Sequence, residues 1–183
     1  AYGSIDGIYA NAGVSGGGKS VTELTVEDWQ RTLGVNTVGV FLAVKHSLKH
    51  FLPQGHGDIL CTASVAGLRA HAGGVAYSDS KAGVVSIVQT TAYPAYCRGV
   101  RSNAIWPGRI DTGMTKPTVD RARARGSEAK IGQINPMKRF GQPSEIGEMA
   151  CFLLSDRASY VNGQAVPVDG GLSASHPWVY PRT

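Results

Sequence analysis

The chain has 183 residues, of which 42% are apolar, 17% charged and 24 are glycine, and its formal net charge is +5. That length suits one domain with a real core, and the composition is that of a soluble globular protein. No apolar run approaches the roughly 18 residues a spanning helix needs and no signal-peptide pattern opens the chain, so the reading is of a cytoplasmic protein that is not a membrane one.

Residues 5–10 read as a short strand that runs into Asn11-Ala12-Gly13, and a glycine-rich loop follows to Ser20. Thr25, with Asp28 three residues on, predicts a helix start. Trp29, Leu33, Val40, Phe41, Val44 and Leu48 carry that helix to Pro53. Asn36 falls in its middle among Val35, Val38 and Val40, where an amide needs a reason: either a satisfied buried group or a functional one. Residues 58–63 are a buried strand and residues 76–93 a helix, with Pro94 expected to end or kink that helix early. A third strand, 100–106, stops at Pro107-Gly108.

Residues 112–141 are poorly periodic and suit a substrate lid. They hold Arg121, Arg123, Arg125, Lys130, Lys138 and Arg139, but the run lacks interleaved aromatics and carries Asp120 and Glu128. It reads as a solvated segment, not a nucleic-acid surface. Pro143-Ser144-Glu145 opens a helix through Ile146, Met149, Phe152 and Leu153, and residues 164–169 form a last strand ended by Gly170-Gly171. In the tail, Trp178, Val179 and Tyr180 would want a partner surface. Cys61, Cys97 and Cys151 have no metal spacing, so no metal site is expected; Cys61 and Cys151 lie in apolar runs and read as buried thiols in a reducing compartment. Strands alternating with helices give an α/β domain with a mainly parallel sheet covered on both faces.

The chemistry concentrates between residues 61 and 81. Tyr77 and Lys81 sit one turn apart if their segment is helical. A phenol titrates near pH ~10, and a cation one turn away lowers that value towards the range of effective acid/base catalysis. Ser64 follows a buried strand, at the end where open α/β sheets place ligands. A lone Tyr-x-x-x-Lys is an ordinary surface pair; Ser64 at this distance gives it a use.

In order along the chain, Asn11-Ala12-Gly13, Val35-Asn36, Ser64-Val65-Ala66-Gly67, Tyr77-x-x-x-Lys81, Asn103-x-x-x-Pro107-Gly108-x-Ile110-x-Thr112 and Val168-Asp169-Gly170-Gly171 resemble the motifs of the short-chain dehydrogenase/reductase family. Each is weak alone and together they are specific. The resemblance implies a Rossmann-like doubly wound parallel sheet and an NAD- or NADP-dependent oxidoreductase acting on a small-molecule secondary alcohol or ketone. Tyr77 would exchange the proton with the substrate oxygen, Ser64 would hydrogen-bond that oxygen, and Lys81 would lower the Tyr77 pKa and hold the nicotinamide ribose. Asn36 would anchor a water in the relay to Lys81. Pro107, Gly108, Ile110 and Thr112 would fix the carboxamide, while Asn11, Ala12 and Gly13 would lie along the adenosine. A homodimer or homotetramer is implied, with the Tyr77 helix, the residue 25–51 helix and the aromatic tail as contact surfaces, and neither nucleic acid nor membrane as partner.

Ala10 departs from the family pattern by replacing an asparagine. More seriously, the family's first strands, with the turn that holds the pyrophosphate and the residue that selects the nucleotide, would precede Ala1. The expectation is therefore one incomplete Rossmann-type domain over 1–183, cut from a longer product or binding dinucleotide poorly, with residues 5–10 exposed as a long apolar edge. A second reading follows: a truncated, catalytically silent relative that serves as an assembly or interaction module. A third comes from residues 13–20, which fit the phosphate-binding pattern G-x-x-x-x-G-K-S. That loop needs a helix starting at its lysine, and here the helix start comes at Thr25.

Overall fold

The computed structural model describes residues 3–127, 130–131 and 133–175. Four strands, β1 (Gly7–Ala10), β2 (Gly57–Thr62), β3 (Val100–Pro107) and β4 (Ala165–Val168), form one sheet in the order β1-β2-β3-β4 with every pairing parallel. Helices connect them: α1 (Val26–Leu33), a π-helical turn (Gly34–Val38), α2 (Gly39–Gln54), α3 (Val75–Tyr96), α4 (Lys116–Ala124) and α5 (Pro143–Leu153).

Strand periodicity places helices on both faces, as expected. On β2, Ile59 and Cys61 pack with Val44, Phe51, Val84 and Val88 of α2 and α3. The alternate residue Leu60 packs instead with Ile105, Ala150 and Leu153, under α5. These central strands, buried on both sides, anchor everything that ends at their C-terminal edge. β1 lies at the sheet edge as anticipated, but it is four residues and not a long apolar strand. Its alternation has already broken down at Asp6 and Gly7.

Helix α1 begins at the expected cap: the Thr25 hydroxyl accepts from the Asp28 amide at 3.2 Å, and the Asp28 carboxylate accepts from the Thr25 amide at 3.3 Å. Lys19, the lysine of the phosphate-loop-like segment, is ion-paired with Asp28 at 2.5 Å, so it caps this entry and holds no phosphate-binding helix. Pro94 does not end α3, which runs on to Tyr96. The proline removes a single backbone donor, and burial of Ala92 and Ala95 against the core holds the following turn. Cys151 is exposed on the outer side of α5, whose Ala150 and Leu153 face inward; only Cys61 of the three thiols is buried. Residues 112–141 contain a helix, α4, with no buried residue, which carries Arg121 and Arg123 in solvent. The aromatic residues 178–180 of the tail lie outside the described residues. Among the described residues no helix is long and apolar enough to cross a membrane.

Candidate active site

Three elements ending at the same edge of the sheet build a cavity of about 680 Å³. The first is the end of β2. Past Thr62 the chain turns, and Ser64 caps a short 3-10 turn (Val65–Gly67) by accepting from the Ala66 amide at 3.1 Å. The cap fixes the hydroxyl at the mouth of the sheet. The second is the first turn of α3, which presents Tyr77 to the cavity. Gly73 passes so close to its ring that a Cβ there would stand 2.8 Å from Cδ1. The third is the bend after β3. Gly108 lies against Asp169, where a Cβ would meet the Asp169 Cα at 2.7 Å, so only glycine lets the Pro107–Thr112 segment turn across the cavity.

Lys81 is buried, with 2% of its surface exposed. Its ammonium donates to the Thr62 carbonyl at 2.7 Å and lies 5.8 Å from the centroid of the Tyr77 ring. Burial pulls its pKa down to about 8. Burial also pushes the Tyr77 phenol above its ordinary value, with the Ser64 hydroxyl offsetting part of the rise. The expectation that Lys81 lowers the phenol pKa is therefore corrected for this structure: desolvation dominates, and the ammonium is directed to a backbone carbonyl.

The buried Lys81 makes stability depend on pH. Its folded pKa of about 8 lies below the unfolded value of 10.5, so between these limits the unfolded chain binds the extra proton and stability rises with pH. Below about pH 8 that gain is absent. The slope is at most about 1.4 kcal/mol per pH unit. Cys61 opposes it above pH 9.0, because burial holds its thiol protonated to about 12 in the folded state. Urea unfolding from pH 7 to 10 should show the Lys81 contribution as a pH-dependent gap between the wild type and Lys81→Met. A gap that does not change with pH would contradict the assigned burial.

Asn36 sits in the π-helical turn, fully buried. Its carbonyl oxygen accepts from the Val14 amide at 2.8 Å, and its amide nitrogen donates to the Val14 carbonyl at 2.9 Å and to Ser80 Oγ at 3.0 Å. Ser80 in turn donates to the Tyr77 carbonyl at 2.7 Å. The side chain thus ties the loop after Gly13 to the helix carrying Tyr77 and Lys81. A Cβ on Gly13 would stand 3.3 Å from Asn36 Oδ1 and 3.5 Å from Lys81 Nζ. On the far side Thr62 donates to Asn11 Oδ1 at 2.7 Å, and the Tyr9 hydroxyl lies 2.9 Å from the same Thr62 oxygen.

Ser64, Tyr77, Lys81, Asn11, Ala12, Gly13, Pro107, Gly108, Ile110 and Thr112 therefore line one cavity, and Asn36 supports its wall from behind. Sequence reasoning did not find the Thr62 carbonyl, because a backbone acceptor leaves no mark in a sequence. Nor did it assign Ser80, although its position three residues after Tyr77 was available, or Arg109, which also lines the cavity. Among the described residues no group of three or more His, Cys, Asp or Glu gathers to hold a metal.

A family model described as enoyl-(acyl carrier protein) reductase matches residues 1–173. Levodione reductase of Leifsonia aquatica is 38% identical over 178 residues, 96% of this chain and 67% of that protein. The chain belongs to the short-chain dehydrogenase/reductase family. The 3-oxoacyl-[acyl-carrier-protein] reductase FabG of Thermotoga maritima is 37% identical over 171 residues, covering 93% of this chain and 67% of that protein. The crystal structure of levodione reductase superposes with a TM-score of 0.90 over 96% of this chain and 69% of that one. A structure of ElxO with NADP bound, 26% identical, gives 0.88 over 95% and 69%. The chain thus spans about two thirds of the length of these short-chain dehydrogenase/reductase relatives, a family of oxidoreductase enzymes.

Proposed function

We propose that the chain carries the catalytic portion of an NAD(P)-dependent oxidoreductase that interconverts a secondary alcohol and a ketone. The observation that carries this reading is the convergence of Ser64, Tyr77 and Lys81 on one cavity with Asn36 bracing it. Tyr77 exchanges a proton with the substrate oxygen, and Ser64 donates a hydrogen bond to that oxygen as charge develops there. The raised pKa keeps the phenol protonated near neutral pH, the state that protonates a ketone oxygen during reduction. Lys81 supplies a buried positive charge beside that transfer.

The cavity fits a nicotinamide riboside. Gly13 and Gly108 leave bare backbone in its wall, Lys81 offers an ammonium, and Asn11 and Thr112 add polar side chains. In this reading Lys81 holds the ribose, Pro107, Gly108, Ile110 and Thr112 hold the carboxamide, and Asn11 to Gly13 follow the adenosine side. The bound cofactor supplies the hydride; the protein orients the substrate and moves the proton. ElxO, which shares the fold, was solved with NADP; the choice between NAD and NADP is left to measurement.

Residues 112–141 act as the substrate lid, since Thr115 and Thr118, at the start of α4, line the cavity. The domain is a single unit with its site at one sheet edge. The outer faces of α2 and α3 expose Phe41, Leu42, Tyr93 and Tyr96, and an apolar groove lies between the helices, which favours a homodimer or homotetramer. Consumption of NADH or NADPH in the presence of a panel of cyclic and linear ketones tests the catalytic reading. Turnover dependent on the ketone is expected, and its absence from folded protein across the panel contradicts it.

A further inference from the structure

Arg109 is half-buried where three cavities meet: the catalytic one, a cavity of about 250 Å³ on the other side of Ser64, and one of about 260 Å³ beside Asp169. Its guanidinium has no hydrogen bond or ion pair among the described residues. The two carboxylates that line the third cavity with it are already engaged. Asp169 accepts from the Gly171 and Ser173 amides at 2.9 and 2.7 Å. Glu145 is bidentate with Arg139 at 2.8 and 2.6 Å. Among the described residues no aspartate or glutamate lines either the catalytic cavity or the 250 Å³ cavity, whereas Lys81 lines the first, Arg69 and His71 the second, and Arg109 both. A half-buried guanidinium with no partner among the described residues, in a cleft that also holds Lys81 and Arg69, is suited to an anion.

Building on the oxidoreductase reading, we propose that Arg109 binds a carboxylate of the substrate, so that the enzyme acts on hydroxy acids and oxo acids. The cofactor's phosphates are the other possible source of negative charge. The 250 Å³ cavity favours the substrate: it contains Ser64 and Arg109 but none of Asn11, Ala12 and Gly13 on the adenosine side, nor Lys81 on the ribose, and shares only Pro107 and Gly108 with the carboxamide end of the cofactor, where the substrate must also sit. A substrate whose oxygen reaches Ser64 can place its acid group on that side. The planar, two-pronged guanidinium suits a carboxylate better than a neutral group of the same shape.

The test is equilibrium binding, by isothermal titration or ligand-observed NMR, of cyclohexanecarboxylate and its neutral match cyclohexanecarboxamide, with NADH present. The wild type should prefer the carboxylate, and Arg109→Met should weaken its binding on the order of ten- to a hundred-fold while leaving the carboxamide unchanged. Arg109→Lys should retain part of the preference. Equal binding of the two probes by the wild type overturns the proposal without any variant. So does an Arg109→Met protein that keeps the preference, or one that loses NADH affinity and not carboxylate affinity. Because the readout is binding, a failure of turnover contradicts the dehydrogenase reading separately from this one.

Discussion

Replacing Tyr77 by phenylalanine is expected to lower turnover by about a hundred- to ten-thousand-fold while leaving the protein folded. The substitution removes one oxygen and keeps the ring, which lies against Gly73 in the cavity wall. That oxygen has a chemical partner in Ser64. Loss of fold is therefore not expected, and the urea midpoint should stay within the scatter of the wild type. Ser64→Ala should act in the same direction, because the two hydroxyls address one substrate oxygen. Turnover near the wild-type value in Tyr77→Phe would mean that the proton comes from elsewhere.

The largest stability loss is expected from Arg101→Met. Arg101 lies on β3 opposite Asp58 of β2 and is 8% exposed. Its guanidinium donates to the carbonyls of Leu153, Ala158, Val161 and Ser155 at 3.1, 2.8, 3.3 and 3.1 Å, and it pairs with Asp58 at 2.8 Å. One side chain thus stitches the end of α5 and the turn after it to the centre of the sheet. Burial pushes the Asp58 carboxyl upward, and Arg101 offsets part of that rise. Methionine fills similar space but leaves the Leu153 carbonyl and the partly buried Asp58 carboxylate without the guanidinium, while the Ser155, Ala158 and Val161 carbonyls each keep one other donor. Removing one partner of a buried pair costs about 3–5 kcal/mol, a large share of the roughly 5–15 kcal/mol that holds a domain together. Urea unfolding should show a clear fall in midpoint, with Arg101→Lys in between. An unchanged midpoint would show that water replaces the guanidinium at no cost.

Much of the architecture was readable because its causes are local. The Thr25–Asp28 cap, Pro143 at the start of α5 and the apolar alternation of β2 act within a few residues, and each element forms where those signals put it. The gathering of Ser64, Tyr77 and Lys81 was also legible, because a strand end and a helix turn in parallel α/β topology meet at one edge. What failed depended on distant groups. Pro94 breaks an isolated helix, but Ala95 is buried by tertiary packing and keeps the last turn wound. Cys151 has apolar neighbours in sequence, yet helical geometry turns it outward. The Tyr77 phenol is raised, not lowered, because burial, which a sequence does not show, dominates its surroundings, while the Lys81 ammonium is directed to the Thr62 carbonyl. Arg101 and Arg109 are both single arginines in or beside a strand; only the fold reveals that one is fully engaged and that the other has no partner among the described residues.

The Ser64–Tyr77–Lys81 cavity is expected to accept a nicotinamide cofactor. A titration of the chain with NADH and with NADPH, followed by nicotinamide fluorescence, tests that directly. Saturable binding of one or both is predicted, weakened by Lys81→Met. Absence of binding to protein shown to be folded would contradict the account and leave the silent assembly module as the reading to pursue.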